Sequence, residues 1–463
     1  MYLNLNRILQ SMAATVLAMA LMAAAQAPAP LTTSPSNDAI LKELAEMKAR
    51  NAETNARIEQ LENELKARGG VAPAPAAPAA EAQAPAAPAA PAAPPAPPTW
   101  SVGAMDISGY IDGYYSYNAN SPSNDSDAGQ INELYNFNDV TDQFALSAAK
   151  VTFNHDPDPI GAHIDILYGR TDIEMNGTYD YYENEGAGKY IEQAFLSYKP
   201  IKAKGFEAAF GKFSTSAGAE VIESKDNWNY SRSLLFAHAI PYNHFGLRTS
   251  MPVSKTETLG LQVVNGFNTN EKLNNGVMIG LTSAYVKPKY TWNANYYVGP
   301  QNYDTQKGYL NLFDTTLLLT PNAKFNAYLN YDYGQNRDST YTYGSSTYGD
   351  HNLNHWQGAA IAAREQILPK DAIAARYEFY FDPQGYTTPY TCDCEYSGYG
   401  PRRQFQEITF TYEHKWVEGL LARLEYRHDW TNFNYFTKGL YDASVKSQST
   451  LTAGFVAFFG PKR

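Results

Sequence analysis

The feature that most constrains this chain is an alternation of residue types with a period of two. Residues 421–430 carry a charge at every second position, namely Arg423, Glu425, Arg427 and Asp429, and the residues between them are mostly apolar or aromatic. Successive side chains of a β-strand point to opposite faces, so this segment has one ionic face and one apolar face. The pattern therefore predicts a strand that separates two unlike environments.

The same alternation recurs in about sixteen segments of the chain after Trp100. The clearest further cases are residues 324–333, 373–382, 407–413 and 450–459. Weaker candidates lie near 107–117, 145–155, 162–170, 189–199, 206–213, 243–251, 258–267, 276–286, 289–298, 309–319 and 356–367. An even number of strands is the rule for bacterial barrels made from one chain.

The connections between these segments alternate in length. Short turns fall at 156–159, 200–205, 252–256, 287–288, 321–322, 368–370 and 415–419. The clearest long connections are 118–143, 171–188, 214–241, 335–355, 383–404 and 431–446. Short periplasmic turns and long external loops are typical of transmembrane barrels, whereas a soluble sandwich has no reason to keep this alternation. We therefore predict an all-β fold, a transmembrane antiparallel up-and-down β-barrel of about 16 strands, over residues 100–463.

The first 27 residues have the composition of a secretory signal peptide. Arg7 supplies the positive charge of the n-region, residues 12–22 form the apolar h-region, and alanines follow at a possible cleavage site. The alternative is a short membrane anchor. With 36 Tyr and a mean hydropathy of −0.44, the rest of the chain has no apolar stretch that approaches a membrane helix, and it suits a barrel with aromatic girdles.

Two further zones precede the predicted barrel. Residues 37–68 carry a heptad repeat with mainly apolar residues at its core positions, which predicts a short oligomeric coiled coil; the alternative is one amphipathic helix lying on the barrel. Residues 71–98 are almost entirely Ala and Pro, and Pro removes backbone donors, so we expect an extended linker. Together they would form a stalk in the periplasm.

The third long connection, 214–241, contains the best candidates for a pore constriction. If it folds into the lumen, as the third loop of general porins does, then Glu220, Glu223 and Arg232 are placed to set ion selectivity. The alternative is a loop packed on the outer rim.

Charged residues at inward positions should form the lumen wall. The predicted set is Lys150, Arg248, Arg376, Glu378, Glu407, Glu413, Arg423, Glu425 and Arg427. Strong anion selectivity calls for an excess of Arg and Lys, whereas the signs here are balanced. We therefore expect a stiff, hydrated lining for a general pore, with Leu424, Tyr426 and Trp430 facing lipid. A salt-bridged lattice with a purely structural role is the alternative for any one of these charges.

Signals for other chemistry are weak. Ser147 and Lys150 match an S-x-x-K form, but residues three apart on a strand face opposite sides. The pair His351 and His355 and the pair Cys392 and Cys394 lie in polar loops, without further ligands to complete a metal site. The net charge of −11 argues against a nucleic-acid partner. We therefore expect no enzymatic activity, no catalytic residues, no metal and no cofactor.

Several segments together resemble the OmpL-like family of β-barrel porins. The matching segments are 211–213, 218–223, 227–232, 244–248, 264–268, 376–378 and 424–429, and the resemblance covers roughly residues 105–459. It implies an outer-membrane diffusion channel, surrounded by outer-membrane lipid and homotrimeric like other sixteen-stranded porins. The coiled coil and linker lie outside this family pattern. They leave a second hypothesis open, an envelope tether in which the barrel anchors a stalk that contacts the cell wall (peptidoglycan).

Overall fold

The structure is a computed structural model that describes residues 105–461. Within that range it leaves out 125–129, 177–186, 272, 303–304, 338–340, 344–345, 349–352 and 389–401. The predicted signal peptide (1–27), coiled coil (37–68) and linker (71–98) lie outside the described residues, as do His351, Cys392 and Cys394.

The described residues form one closed barrel of sixteen antiparallel strands, which confirms the predicted fold class. The barrel strands are β1 (Asp106–Asn118), β2 (Phe144–His155), β3 (Ile160–Tyr168), β4 (Ile191–Tyr198), β5 (Glu207–Ser214), β6 (Asn243–Pro252), β7 (Glu257–Val264), β8 (Met278–Lys287), β9 (Tyr290–Gly299), β10 (Leu310–Leu319), β11 (Phe325–Arg337), β14 (Leu353–Leu368), β15 (Asp371–Asp382), β16 (Arg403–Val417), β17 (Leu420–Thr431) and β20 (Ser447–Phe459). Each strand pairs with its neighbours in the chain, and β1 pairs with β20 to close the sheet.

Short elements occupy the long connections. They are helix α1 (Arg170–Asn176), 3-10 turns at Ala187–Tyr190 and Ser224–Asp226, a π-helical turn at Leu235–Ala239, and two small hairpins, β12 (Tyr341–Tyr343) with β13 (Ser346–Tyr348) and β18 (Phe436–Lys438) with β19 (Tyr441–Val445). The sequence did not predict them, because such short segments show no usable periodicity. None of the described helices is long and apolar enough to span a membrane.

The alternation that predicted the strands is visible in the burial of β17. Arg427 is 0% exposed, whereas Leu424 and Tyr426 are 50% and 44% exposed on the outer face. Large apolar and aromatic residues are exposed in the same way along most of the other barrel strands. An apolar outer face and a polar inner face are what a bilayer requires of a spanning barrel.

Bulges interrupt the simple alternation in β2, β4, β14 and β16, and the bulge in β4 adds a charged side chain to the interior. In the pairing of β3 with β4, Asp165 lies opposite Gln193 and the next residue, Ile166, lies opposite Ile191. Glu192 is the extra residue of this β-bulge, and its side chain is buried beside Asp165 and Lys150. The bulge thus adds a carboxylate to the interior that a strict period of two does not place there.

Candidate functional site

The connection between β5 and β6 folds into the barrel interior. Every residue from Asn229 to Tyr242 is buried. We call residues 215–242 the third loop. A loop packed on the outer rim would expose much of its length, so this burial and the contacts below place the third loop inside the barrel.

Two carboxylates of the inner wall bind the backbone of the third loop. Glu425 of β17 accepts hydrogen bonds from Tyr230 N (2.5 Å) and Ser231 N (2.8 Å). Glu378 of β15 accepts them from Leu234 N (3.0 Å) and Leu235 N (3.1 Å). A carboxylate that accepts two backbone donors makes a strong, charge-assisted contact.

Three arginines of the same wall bind carbonyl groups of the third loop. Arg376 donates to Ser231 O (2.9 Å). Arg427 donates to Arg232 O (2.8 Å). Arg423 donates to Asn227 O (2.6 Å) and to Ser224 O. The guanidinium fork suits this role because its five donors lie in a fixed plane.

The loop also contacts distant parts of the barrel. Asp112 of β1 accepts hydrogen bonds from the Tyr230 hydroxyl (2.7 Å) and from Ser224. Asp314 of β10 accepts one from Gly218 N (3.0 Å). The third loop therefore spans the interior from β10 to β1, with its tip against β15 to β17.

Ion pairs within the wall neutralise the arginines that hold the loop. The guanidinium of Arg376 lies 2.7 Å from Glu220, 2.9 Å from Glu378 and 2.8 Å from Glu407. All four side chains are almost fully buried. Buried charges are tolerated only when they are paired and hydrogen-bonded, and this cluster satisfies both conditions.

The three residues predicted for the constriction lie in different environments. Glu220 is buried, paired with Arg376, and accepts a hydrogen bond from Ser233 N (2.7 Å). Arg232 is buried within the loop, where it donates to Tyr230 O (2.8 Å) and to Ile222 O. Glu223 ion-pairs with Lys150 and keeps a side chain that is 19% exposed.

The structure places the nine predicted wall residues at inward register positions, but it divides them into two groups. The third loop covers the first group, which is almost fully buried: Arg376, Glu378, Glu407, Arg423, Glu425 and Arg427. The expectation of a hydrated lining is wrong for these six, because their polar atoms bind the loop and one another. The second group makes other contacts. Lys150 is also buried and pairs with Glu223 of the third loop, whereas Arg248 and Glu413 are partly exposed.

The members of the second group have different kinds of partner. Glu413 pairs with Arg364 (2.9 Å) and Arg423 (2.7 Å). Arg248 is partly exposed and lies over the rings of Phe195 (4.9 Å) and Phe213 (4.6 Å). Among the described residues, no carboxylate lies within ion-pair distance of Arg248.

Lys150 of β2 lies among three carboxylates. Its ammonium is 2.9 Å from Asp165, 3.0 Å from Glu192, and paired with Glu223 of the third loop. The three carboxylates have oxygen atoms within 4.8 Å of one another, a spacing that could hold a metal ion. The lysine ammonium supplies a positive charge at this cluster.

Sequence reasoning missed several residues that bind the loop or its partners. Asp112, Asp314 and Asp165 each occupy an inward position of a predicted strand, so the period of two could have indicated them. Glu192 could not have been found in this way because of the bulge in β4. The hydrogen bonds of Tyr230 and Ser231 join residues nearly 200 positions apart, and no local pattern reports them.

A closed antiparallel barrel of sixteen strands with its third long loop folded inside is a porin-type outer-membrane barrel. The chain belongs to the family described as "Putative beta-barrel porin-2, OmpL-like", whose model matches residues 104–459. This places it in the bacterial outer membrane.

Solved outer-membrane proteins have a similar fold. The channel DcaP of Acinetobacter baumannii is 13% identical, with a TM-score of 0.49 over 77% of this chain and 97% of that one. The anion-selective porin from Comamonas acidovorans is 11% identical, with a TM-score of 0.46 over 77% and 99%. OmpF of Salmonella typhi, solved with daunomycin, is 14% identical, with a TM-score of 0.46 over 77% and 97%. No curated protein sequence matches the chain.

Proposed function

We propose that this protein is a passive, non-enzymatic channel for small hydrophilic solutes and ions, and that the third loop forms its constriction. The observation that carries the proposal is the attachment of the loop backbone to the inner wall by Glu378 and Glu425. A loop held in this way narrows the lumen at a fixed place. Selectivity then depends on the size of the remaining opening and on the charges around it.

The remaining opening lies on the side of β2 to β8 in this proposal. Several inward side chains there are partly exposed, namely those of Thr152, His163, Phe195 and Thr282. Those of β15 to β17 are buried wherever the third loop covers them. A permeating solute would therefore meet the carboxylate of Glu223 on the loop and the guanidinium of Arg248 on β6.

Purified, folded protein in a planar lipid bilayer tests the proposal. We expect discrete conductance steps from single insertions. Protein unfolded by heating before addition is the control and should give none. If the folded barrel inserts but gives no conductance steps, the channel proposal is wrong.

We also propose a homotrimer in outer-membrane lipid, with residues 37–98 as a periplasmic stalk that can contact peptidoglycan. The sixteen-stranded architecture supports the trimer, and the heptad and the Ala/Pro composition support the stalk. Native mass spectrometry of the detergent-extracted protein should give three chains per particle. A mass of one chain under conditions that keep the barrel folded would contradict the trimer.

A further inference from the structure

A cavity of about 400 Å³ lies beside the π-helical turn of the third loop. We call it the outer cavity. Its walls come from six connections between strands and from β10 and β14, and the residues that matter here are Glu174, His238, Tyr242, Phe267, Trp356 and Tyr386. A volume of this size is within the usual range for sites that bind small molecules.

Aromatic rings form much of the wall of the outer cavity. Tyr242, Phe267, Trp356 and Tyr386 all line it. Trp356 and Tyr386 stack on each other with their ring centroids 5.3 Å apart. The π faces of such rings attract cations, Trp and Tyr most strongly.

The main side-chain donors at the cavity are already engaged by the protein. Trp356 Nε1 donates to Ala239 O (3.0 Å), and the Tyr242 hydroxyl donates to Ala237 O (2.7 Å). Gln301 Nε2 donates to Phe267 O (3.1 Å). A ligand that needs several donors from the protein would therefore compete with these contacts.

An unused acceptor lies at His238. The residue lines the cavity and is 8% exposed, and its Nε2 is covered and has no hydrogen-bond partner among the described residues. The other ring nitrogen bonds to the backbone of Leu134. Burial, aided by the nearby Arg427, lowers the pKa of His238 to about 4, so the imidazole is neutral at pH 7 and its Nε2 offers a lone pair.

The second unused acceptor is the carboxyl group of Glu174 in α1. Its one ion-pair neighbour among the described residues is Arg170, at 3.8 Å. Arg170 donates two hydrogen bonds to Asp139 instead, one of them 2.7 Å long. Glu174 is thus left as a carboxylate that borders the cavity, and no Lys or Arg is among the described residues that line it.

We propose that the outer cavity binds small organic ammonium ions, meaning a primary amine on an aromatic or apolar body. The ammonium group would donate to Glu174 in a cavity that the neutral ring of His238 also lines, and the aromatic rings would contact both the cation and its apolar body. An anionic solute would meet the charge of Glu174 and no compensating cation. This inference adds a solute class to the proposed function. Binding in the outer cavity does not depend on that function, but passage of the bound solute through the membrane rests on it.

The pH dependence follows from Glu174. Burial and the charge of Asp139 raise its pKa to about 7, although Arg170 acts in the opposite direction. Ionised Glu174 binds the ammonium, so affinity rises with pH, by about tenfold between pH 6 and pH 8 for a pKa of 7. His238 stays neutral throughout this range.

Isothermal titration of the folded, full-length protein in detergent tests the inference, with benzylammonium as the probe. Benzyl alcohol and benzoate are the neutral and anionic controls of similar shape. We expect saturable binding of benzylammonium, at least roughly tenfold tighter than either control, because only the cation makes the charge-assisted contact. Glu174→Gln should weaken that binding by about tenfold and remove its dependence on pH.

Glu418→Gln is the matched control variant. It removes the same charge from an exposed turn at the opposite end of the barrel, where Glu418 pairs with Lys415 at 3.4 Å. Its affinity should equal that of the unmodified protein. The inference is overturned if benzylammonium binds no more tightly than benzyl alcohol, or if the two variants bind it equally well.

Two further measurements separate a wrong binding site from a variant that fails to fold and from a barrel that does not conduct. The pH profile uses the unmodified protein, so a flat affinity from pH 6 to pH 8 contradicts the inference even if Glu174→Gln fails to fold. Conductance is measured on the same preparation. Protein that conducts but binds no benzylammonium refutes the binding site alone, and protein that binds but does not conduct refutes the channel alone.

Discussion

Many charged residues inside this barrel hold the third loop against the inner wall. Glu425 and Glu378 each use both oxygen atoms on backbone amides of the third loop. Arg376 joins Glu378 to Glu220 of the loop. Ionised groups are costly to bury, and each of these is balanced by a partner that holds the loop. Lumen charges in this protein therefore cannot be counted directly as charges that a solute meets.

Replacing Glu425 by Gln should loosen the third loop. An amide has only one acceptor oxygen, and its NH2 group would face a backbone donor. We expect a loss of about 1.5–3 kcal/mol from this contact, the usual contribution of a hydrogen bond to a charged group. The measurement is open-channel current noise in a planar bilayer, which should increase. Glu365→Gln, at an exposed position of β14, is the control, and equal noise in both variants would contradict the expectation.

Replacing Arg248 by Gln should shift the channel toward cations. Arg248 contacts two phenyl rings, is partly exposed, and has no carboxylate within ion-pair distance among the described residues, so its charge remains available to the lumen. The measurement is the reversal potential across a salt gradient. Lys324→Gln, in an exposed periplasmic turn, removes the same charge elsewhere and should leave the reversal potential unchanged. No difference between the two variants would argue against a role for Arg248.

At the scale of elements, the sequence was most informative where structure is local. The alternation in segments such as 421–430 predicted the strands, and the loop lengths predicted a barrel. The third loop was expected inside only by resemblance to porins. The contacts of the loop could not be predicted, because its partners Asp112, Asp314 and Glu425 lie on strands far apart in the sequence. The register of a strand shows which residues face inward, but it does not show which of them a loop will cover. The bulge at Glu192 breaks the very pattern that located the strands.

Shortening the third loop should widen the channel. Replacing residues 221–233 with Gly-Ser-Gly removes the segment that Glu425 binds and one of the partners of Lys150. The strands keep their own ladder of backbone hydrogen bonds, so the barrel should still form. Single-channel conductance should increase at least roughly twofold, since a larger open cross-section carries more current. A shift in gel mobility on heating is the control for folding, and unchanged conductance in a folded variant would mean that the loop is not the constriction.

At the scale of the whole molecule, the first and last barrel strands close the sheet by pairing with each other. Ten consecutive residue pairs, from Gly109 with Phe459 to Asn118 with Thr450, join β1 to β20. The seam is therefore as continuous as the other strand pairs. For residues 37–98 the prediction rests on the sequence alone: the heptad predicts self-association, and the Ala/Pro composition predicts an extended linker.

Deleting residues 37–98 should separate the two proposed functions. We expect single-channel conductance to stay the same, because the barrel ladder is complete without them. We also expect co-sedimentation with purified peptidoglycan to be lost in the shortened protein and present in the full-length protein. Equal sedimentation of both forms would argue against the stalk as a cell-wall contact.

The attachment of the third loop also bears on how such a channel can diversify. Glu378 and Glu425 bind N–H groups, which every amino acid except proline supplies. Side chains that stay exposed on the loop, such as those of Val221 and Asp226, can therefore change over generations while the buried stretch keeps the loop in place. A lineage could acquire a new solute preference by altering such exposed loop residues on an unchanged frame, whereas proline at the attachment points would remove the N–H groups that hold the loop.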